Sequence, residues 1–92
     1  MNKSELTAAL ARRIGLSKVD AGKTVDAVTE IIGESLEAGD KVMLPGFGTF
    51  ESRQRNARDG VNPATGEPLH IPAKRVVHFK VGKTLKDRIA DS

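Results

Sequence analysis

The sequence predicts an α+β fold: a helical hairpin, then β-strands carrying a hairpin arm, then a short terminal helix. Three observations carry that reading. Apolar residues recur at helical spacing as far as Leu36, and from Lys41 onward they alternate as in strands. A cluster of turn formers, Asn56, Asp59, Gly60, Asn62, Pro63, Gly66 and Pro68, interrupts the alternating part. Charge divides along the same line: residues 1–52 hold six Lys/Arg against eight Asp/Glu, a net −2; residues 53–75 hold five against two, +3; residues 76–92 hold four against two, +2.

Each element has its own signals. Asn2 suits a helix N-cap, with Glu5 three residues on to complete a capping box. Leu6, Ala9, Leu10, Arg13 and Ile14 follow at helical spacing, and Gly15 supplies a left-handed stop. Ser17 and Asp20 repeat the cap in weaker form, and Ala21, Val25, Val28, Ile31, Ile32 and Leu36 trace one face of a second helix ending at Gly39. Gly22 and Gly33 lie inside it, either permitting close helix approach or simply weakening the element.

Val42, Met43 and Leu44 run into a Pro45-Gly46 turn, and Phe47 to Arg55 alternate as a strand. Residues 56–68 read as a loop or hairpin tip. Leu69 and Ile71 alternate before Pro72, Val76, Val77, Phe79 and Val81 form another strand, and Leu85 and Ile89 suit a terminal helix resting on the body.

Composition narrows the function. A chain of 92 residues buries only about 60–65% of its unfolded surface, so a lone core is marginal and a partner subunit would help. The absence of cysteine excludes disulfides, thiolate metal sites and thiol catalysis. Met1-Asn2-Lys3-Ser4-Glu5 lacks a basic stretch followed by an apolar run, and no segment approaches the roughly 20 apolar residues of a membrane span. A soluble, intracellular protein is expected.

An acidic front and a basic rear suit an anionic partner, nucleic acid being the commonest, although an unevenly charged solvated surface gives the same composition. Arg53 and Arg55 stand two apart and so share a face of the ribbon; with Arg58, Lys74 and Arg75 they put guanidinium and ammonium groups on both sides of the tip. Arginine matches phosphate through its planar fork, whereas a hairpin kept soluble by charge would use Lys and Glu about as readily. The tip Asn62-Pro63-Ala64-Thr65-Gly66 is a common turn whose sharper reading is an exposed ring that wedges between base pairs.

Phe47, Phe50 and Phe79 are the only aromatics and lie outside the arm, which argues for core rather than base stacking. His70 and His78 have no carboxylate placed to orient them and read as surface or strand residues. Gly46-Phe47-Gly48 lies between strands rather than opening a helix, so it is no dinucleotide fingerprint.

The run Gly46-Phe47-Gly48-Thr49-Phe50, followed by Arg55, Arg58, Gly60, Asn62-Pro63 and Thr65-Gly66, resembles the signature of the bacterial histone-like HU and integration host factor family. The resemblance extends to Met1 through Leu6, Gly39 through Val42, Ile71-Pro72-Ala73 and Gly82-Lys83. It implies one domain over 1–92 that forms an intertwined dimer. Residues 1–40 would form the helical base, and 41–81 a three-stranded antiparallel sheet extended into a long β-ribbon arm at about 53–75. Residues 82–92 would form the C-terminal helix, and Phe47, Phe50 and Phe79 would be buried between subunits.

The resemblance places Arg53, Arg55, Arg58, Lys74 and Arg75 on arm phosphates and groove walls. Pro63 would be the intercalating wedge, with Asn62 and Thr65 beside it. Lys3, Lys80, Lys83 and Lys86 would contact backbone along the flank, Lys83 from near a helix N-terminus. The chain departs from the family pattern at Asp59 and Val61, where the arm loses positive charge, and at Val77 and Val81, which replace frequent prolines.

The function so implied is a nucleoid-associated architectural protein of the cytoplasm. It would bend and compact double-stranded DNA through the minor groove with little sequence preference, favouring flexible, nicked or bent forms. The partners would be that DNA and a second copy or close paralogue, with no membrane, metal or cofactor. The rivals are a sequence-preferring subunit of the integration-host-factor type and a dimeric protein-interaction module, which an acidic arm would have favoured. An enzyme would need a nucleophile with its base, a carboxylate pair in a cleft or a phosphate loop, none of which the sequence offers.

Overall fold

In the computed structural model, residues 1–92 form helices α1 (Lys3–Ile14), α2 (Lys18–Glu37) and α3 (Lys83–Ala90), with strands β1 (Val42–Leu44), β2 (Gly48–Arg55), β3 (Arg58–Val61), β4 (Pro68–Ile71) and β5 (Lys74–Val81). The chain divides into two units, Met1–Glu34 and Ser35–Ser92.

In the first unit the helix signals act as the sequence indicates. Asn2 Oδ1 accepts from the Glu5 amide at 2.8 Å, so the Asn2 half of the expected capping box forms. Gly15 takes φ 73°, and its N–H bonds the Ala11 carbonyl. Ser17 Oγ accepts from the Asp20 amide at 3.1 Å. A Cβ on Gly22 would lie 3.8 Å from Thr7 Cγ2, ordinary contact distance, whereas one on Gly33 would meet nothing. Gly22 therefore sits where the two helices pass close together, and Gly33 does not. Ala11, Ala21 and Val25 are buried, while Val28 and Ile31 remain exposed.

The second unit opens with the last turn of α2. The Gly39 N–H bonds Leu36 O at 3.1 Å and the Asp40 N–H bonds Ser35 O at 2.8 Å. With Gly39 at φ 88°, this pair is a Schellman stop. It ends the helix at Glu37, two residues before the glycine that the sequence marks as its limit.

Strands β1, β2 and β5 form an antiparallel sheet in that order. Phe47 belongs to the Pro45–Phe47 turn rather than to a strand, with its N–H on Leu44 O at 2.9 Å. The Gly82 N–H bonds Phe47 O at 2.8 Å, tying the end of β5 to that turn.

The arm is not one continuous ribbon. The β2–β5 ladder ends at Arg55↔Lys74, and a separate two-stranded sheet, β3 with β4, resumes at Arg58↔Ile71. Residues 56–57 and 72–73 separate the two sheets, and Pro72 has no N–H with which to continue a ladder. Residues 58–61, part of the stretch whose turn formers read as a loop or hairpin tip, are strand, as the β-ribbon arm implied by the resemblance requires. The turn residues Asp59 and Gly60 are accommodated there because the strand is a short, exposed edge.

Burial within the chain is slight. Ala11, Ala21, Val25 and Leu36 are the only buried hydrophobic residues, and no large side chain is fully enclosed. Helix α3 buries no residue, and Ile89, expected to rest on the body, is exposed.

Candidate nucleic-acid interface

Register sorts the side chains of the three-stranded sheet onto two faces of opposite character. Residues directly opposite in a ladder share a face. Phe50 pairs with Phe79, Gly48 with Val81 and Ser52 with Val77, so these occupy one side. Thr49 pairs with Lys80, Glu51 with His78, Arg53 with Val76 and Arg55 with Lys74, so these occupy the other. Four of the expected DNA contacts, Arg53, Arg55, Lys74 and Lys80, thus fall on a single cationic face.

The opposite face is apolar and open around the Phe50–Phe79 pair, with Ser52, Gln54 and Arg75 nearer the arm. Phe79 stacks at a tilt against Phe50 and Phe47, with ring centroids 4.7 and 5.4 Å apart. The cluster is nevertheless poorly covered: Phe47 is 46% exposed, Phe79 37% and the adjacent Val77 67%. The sequence places these rings in a core, and a single chain leaves that core half built.

Glu51 is the one carboxylate on the cationic face of the sheet. Arg53 donates to its Oε1 from both Nε at 2.9 Å and Nη2 at 2.8 Å, and Lys41 Nζ lies 3.6 Å from Oε2. The Arg53 hydrogen bond, reinforced by the two positive charges, holds the Glu51 carboxyl below the usual carboxylate range against a smaller opposing desolvation. Sequence reading missed Glu51, although two residues' separation from Arg53 along a strand already put both on one side.

Arg75 goes elsewhere. Adjacent to Lys74, it must point to the opposite face, and it does: Nη2 donates to Leu36 O at 2.6 Å and to Ser52 Oγ at 3.1 Å, and Nη1 donates to Glu37 O at 3.1 Å. In the structure its guanidinium thus lies at the end of α2 and not on the cationic face. Strand alternation forbids Lys74 and Arg75 from sharing a face, a signal available in the sequence and not used.

At the break in the arm, Arg55 and Arg58 line one shallow cleft of about 510 Å³ with Asn56, Ile71 and Pro72. Across the distal ribbon Asp59 stands opposite His70, with Nδ1 and Oδ1 3.3 Å apart. This corrects the expectation that no carboxylate is placed to orient that histidine, and Glu51 likewise faces His78. The pairing was invisible in sequence because the two residues meet only through the ladder.

The tip is folded by its own polar side chains. Asn62 Oδ1 accepts from the Ala64 amide at 2.9 Å and Thr65 Oγ1 from the Glu67 amide at 3.3 Å. The Asn62 N–H bonds Glu67 O at 2.8 Å and the Gly66 N–H bonds Asn62 O at 2.7 Å, with Gly66 at φ 73°. Asn62 and Thr65 thereby shape a turn that leaves the Pro63 ring exposed at its end.

The remaining lysines are on the surface. Lys3 pairs with Asp26 at 2.6 Å and Lys83 with Asp87 at 2.8 Å. Lys83 opens α3, whose N-cap Gly82 offers no side-chain cap, and Lys86 lies one turn further on. No helix is long and apolar enough to cross a membrane.

A cationic sheet face continued by an arm with arginines at its break and a proline at its end is the geometry of a protein that grips a polyanion, and comparison with known proteins gives the class. The family model described as "Bacterial DNA-binding protein" matches residues 1–90, and the chain belongs to that family. It is 58% identical to the DNA-binding protein HU of Geobacillus stearothermophilus, covering 97% of this chain and 99% of that one. It is 54% identical to DNA-binding protein HU 1 of Bacillus subtilis, covering 98% of each. Among solved structures it resembles the HU of an Anabaena HU–DNA cocrystal, with a TM-score of 0.89 and 46% identity over the whole of both chains.

Proposed function

We propose that this chain is an architectural protein of the bacterial nucleoid, which acts as a dimer to bind, bend and compact double-stranded DNA with little sequence preference. The observation that carries the reading is the segregation of Arg53, Arg55, Lys74 and Lys80 onto one face of the sheet, combined with 46% identity to a protein crystallised with DNA. Phosphate contacts of this kind fix position without reading sequence. The open aromatic face supports the dimer, because a 92-residue chain with four buried hydrophobic residues gains most of its core by covering that face with a second copy.

The chain works as one domain over 1–92, with a helical base at 1–40, the sheet and arm at 41–81 and a closing helix at 82–92. Arg53, Arg55, Arg58 and Lys74 meet phosphates and groove walls from the arm. Lys3, Lys80, Lys83 and Lys86 meet the flanks, those already in ion pairs exchanging a carboxylate for a phosphate. Pro63 enters the minor groove and unstacks a base step, held at the right turn by Asn62 and Thr65. Unstacking costs a few kcal/mol per step, and the phosphate contacts that bending brings to the body offset it. The role is architectural rather than catalytic, and its place is the cytoplasm, on the nucleoid.

Binding and end-to-end energy transfer on two labelled duplexes of equal length and unrelated sequence, across a salt series, test this. Both should shorten alike, with affinity falling by about 0.9 in log–log slope per phosphate neutralised. One duplex bent far more tightly than the other would point to a sequence-preferring bender. No binding at low salt would sink the DNA reading and direct the search to a protein partner.

A further inference from the structure

Helix α2 reaches its C-terminus with no basic residue in the last turn and with Glu37 as its final residue, the wrong sign for the negative end of a helix dipole. The cation that belongs there comes from the far side of the arm. Arg75 lies 38 and 39 residues away in sequence from the two carbonyls it holds, Glu37 O at 3.1 Å and Leu36 O at 2.6 Å. Ser52, diagonal to Arg75 on the same sheet face, braces the contact: its Oγ accepts from Arg75 Nη2 at 3.1 Å and donates to Leu36 O at 3.4 Å.

The position of this cluster matters. The ladder continues for one further pair, Arg55↔Lys74, before the break at residues 56–57 and 72–73. The guanidinium therefore grips the last turn of α2 immediately inboard of the place where the arm can change direction. Its planar fork reaches two carbonyls and a hydroxyl together, which an ammonium on a flexible stem does not reproduce.

We propose that Arg75, braced by Ser52 on the last turn of α2, is a positioning residue that fixes the root of the arm and thereby sets the bend imposed on DNA. The proposal rests on the architectural reading above. In it Arg75 touches no phosphate; it acts through the arm, holding one orientation of the β2–β5 root so that the distal ribbon starts from a fixed base. Loosening it lets the root sample several orientations, and the bend becomes smaller on average while the arm's own phosphate contacts are unchanged.

The test uses the full-length protein and the two labelled duplexes, with wild type measured first. Wild type that neither binds nor bends overturns the architectural reading itself, and the arm-positioning role falls with it before any variant is read. If wild type bends DNA, Arg75→Met and Arg75→Lys should lower the energy transfer of the saturated complex, and Ser52→Ala should lower it less. Any salt slope lost with the flanking contacts should be the same whether the charge at residue 75 is kept or removed, so Arg75→Met should match Arg75→Lys. A slope lower in Arg75→Met than in Arg75→Lys by about 0.9 for each arginine lost would make Arg75 a phosphate contact and overturn the proposal. Wild-type transfer together with wild-type slope would reduce the cluster to a helix cap and overturn it equally. Thermal unfolding is followed in parallel; where Arg75→Met fails to fold, Arg75→Gln, which also removes the charge but keeps an amide donor, takes its place beside Arg75→Lys and Ser52→Ala.

Discussion

The ring of Phe79 occupies the space that a side chain on Gly48 would need. A Cβ built on Gly48 meets the edge of that ring and, at 2.7 Å, the backbone carbonyl of Lys80. The glycine is therefore fixed by crowding rather than by its backbone angles, unlike Gly46 in the preceding turn, whose φ is 83°.

Gly48→Ala should accordingly destabilise the protein. Overpacking against a backbone atom that cannot swing aside costs about 1–3 kcal/mol, and the displaced Phe79 belongs to the face assigned to the partner. Denaturant unfolding should show a lower midpoint, and a midpoint equal to wild type would mean that the sheet shifts freely at this point.

Glu51→Gln bears on both pH and DNA. A carboxyl held below its usual range adds stability that is present above that range and disappears as pH falls through the lowered value. The Gln variant should lose less stability than wild type on acidification into and below the carboxylate range. It also releases Arg53 and Lys41. Affinity for DNA at low salt should therefore rise, and the gain should shrink as salt is added. A fall in affinity would show that Glu51 positions Arg53 rather than competing for it.

Pro63→Ala separates wedge from fold. The ring is exposed at the tip, so its removal should cost only the ~0.4–1 kcal/mol expected from a less restricted unfolded chain. The bend should fall while salt-dependent binding through the arm arginines persists. An unchanged bend by energy transfer would remove intercalation from the mechanism.

Asp59→Asn takes one negative charge from the distal ribbon and leaves His70 without its carboxylate at 3.3 Å. Both side chains are well exposed, so stability should move by less than about 1 kcal/mol. Binding titrations should instead show tighter association at low salt that converges on wild type as salt rises. Equal affinity throughout would mean that residue 59 stays clear of the DNA.

Phe47→Asp places a charge on the open aromatic face, where Phe47 is 46% exposed in the single chain. Sedimentation equilibrium should move from dimer toward monomer, with loss of helical signal as the chain loses its shared core. A variant that remains dimeric and fully folded would put the interface elsewhere.

Much of this protein was legible before any coordinates. Asn2, Gly15, Ser17 and Gly39 marked the helix ends because capping depends on neighbours within a turn or two. Pro45-Gly46 and Asn62 through Gly66 marked the turns for the same local reason. Alternation along one strand also sufficed to pair Arg53 with Arg55. What the sequence could not supply was the relation between strands. Only the antiparallel register put Lys74 and Lys80 on the face of Arg53, turned Arg75 to the end of α2 and set Asp59 against His70. Side-chain parity is a local property with a period of two, but a ladder can be joined in either parity. That choice is made by packing Phe50 against Phe79 and by the turn that delivers β2, so the cationic face exists only once the sheet has closed.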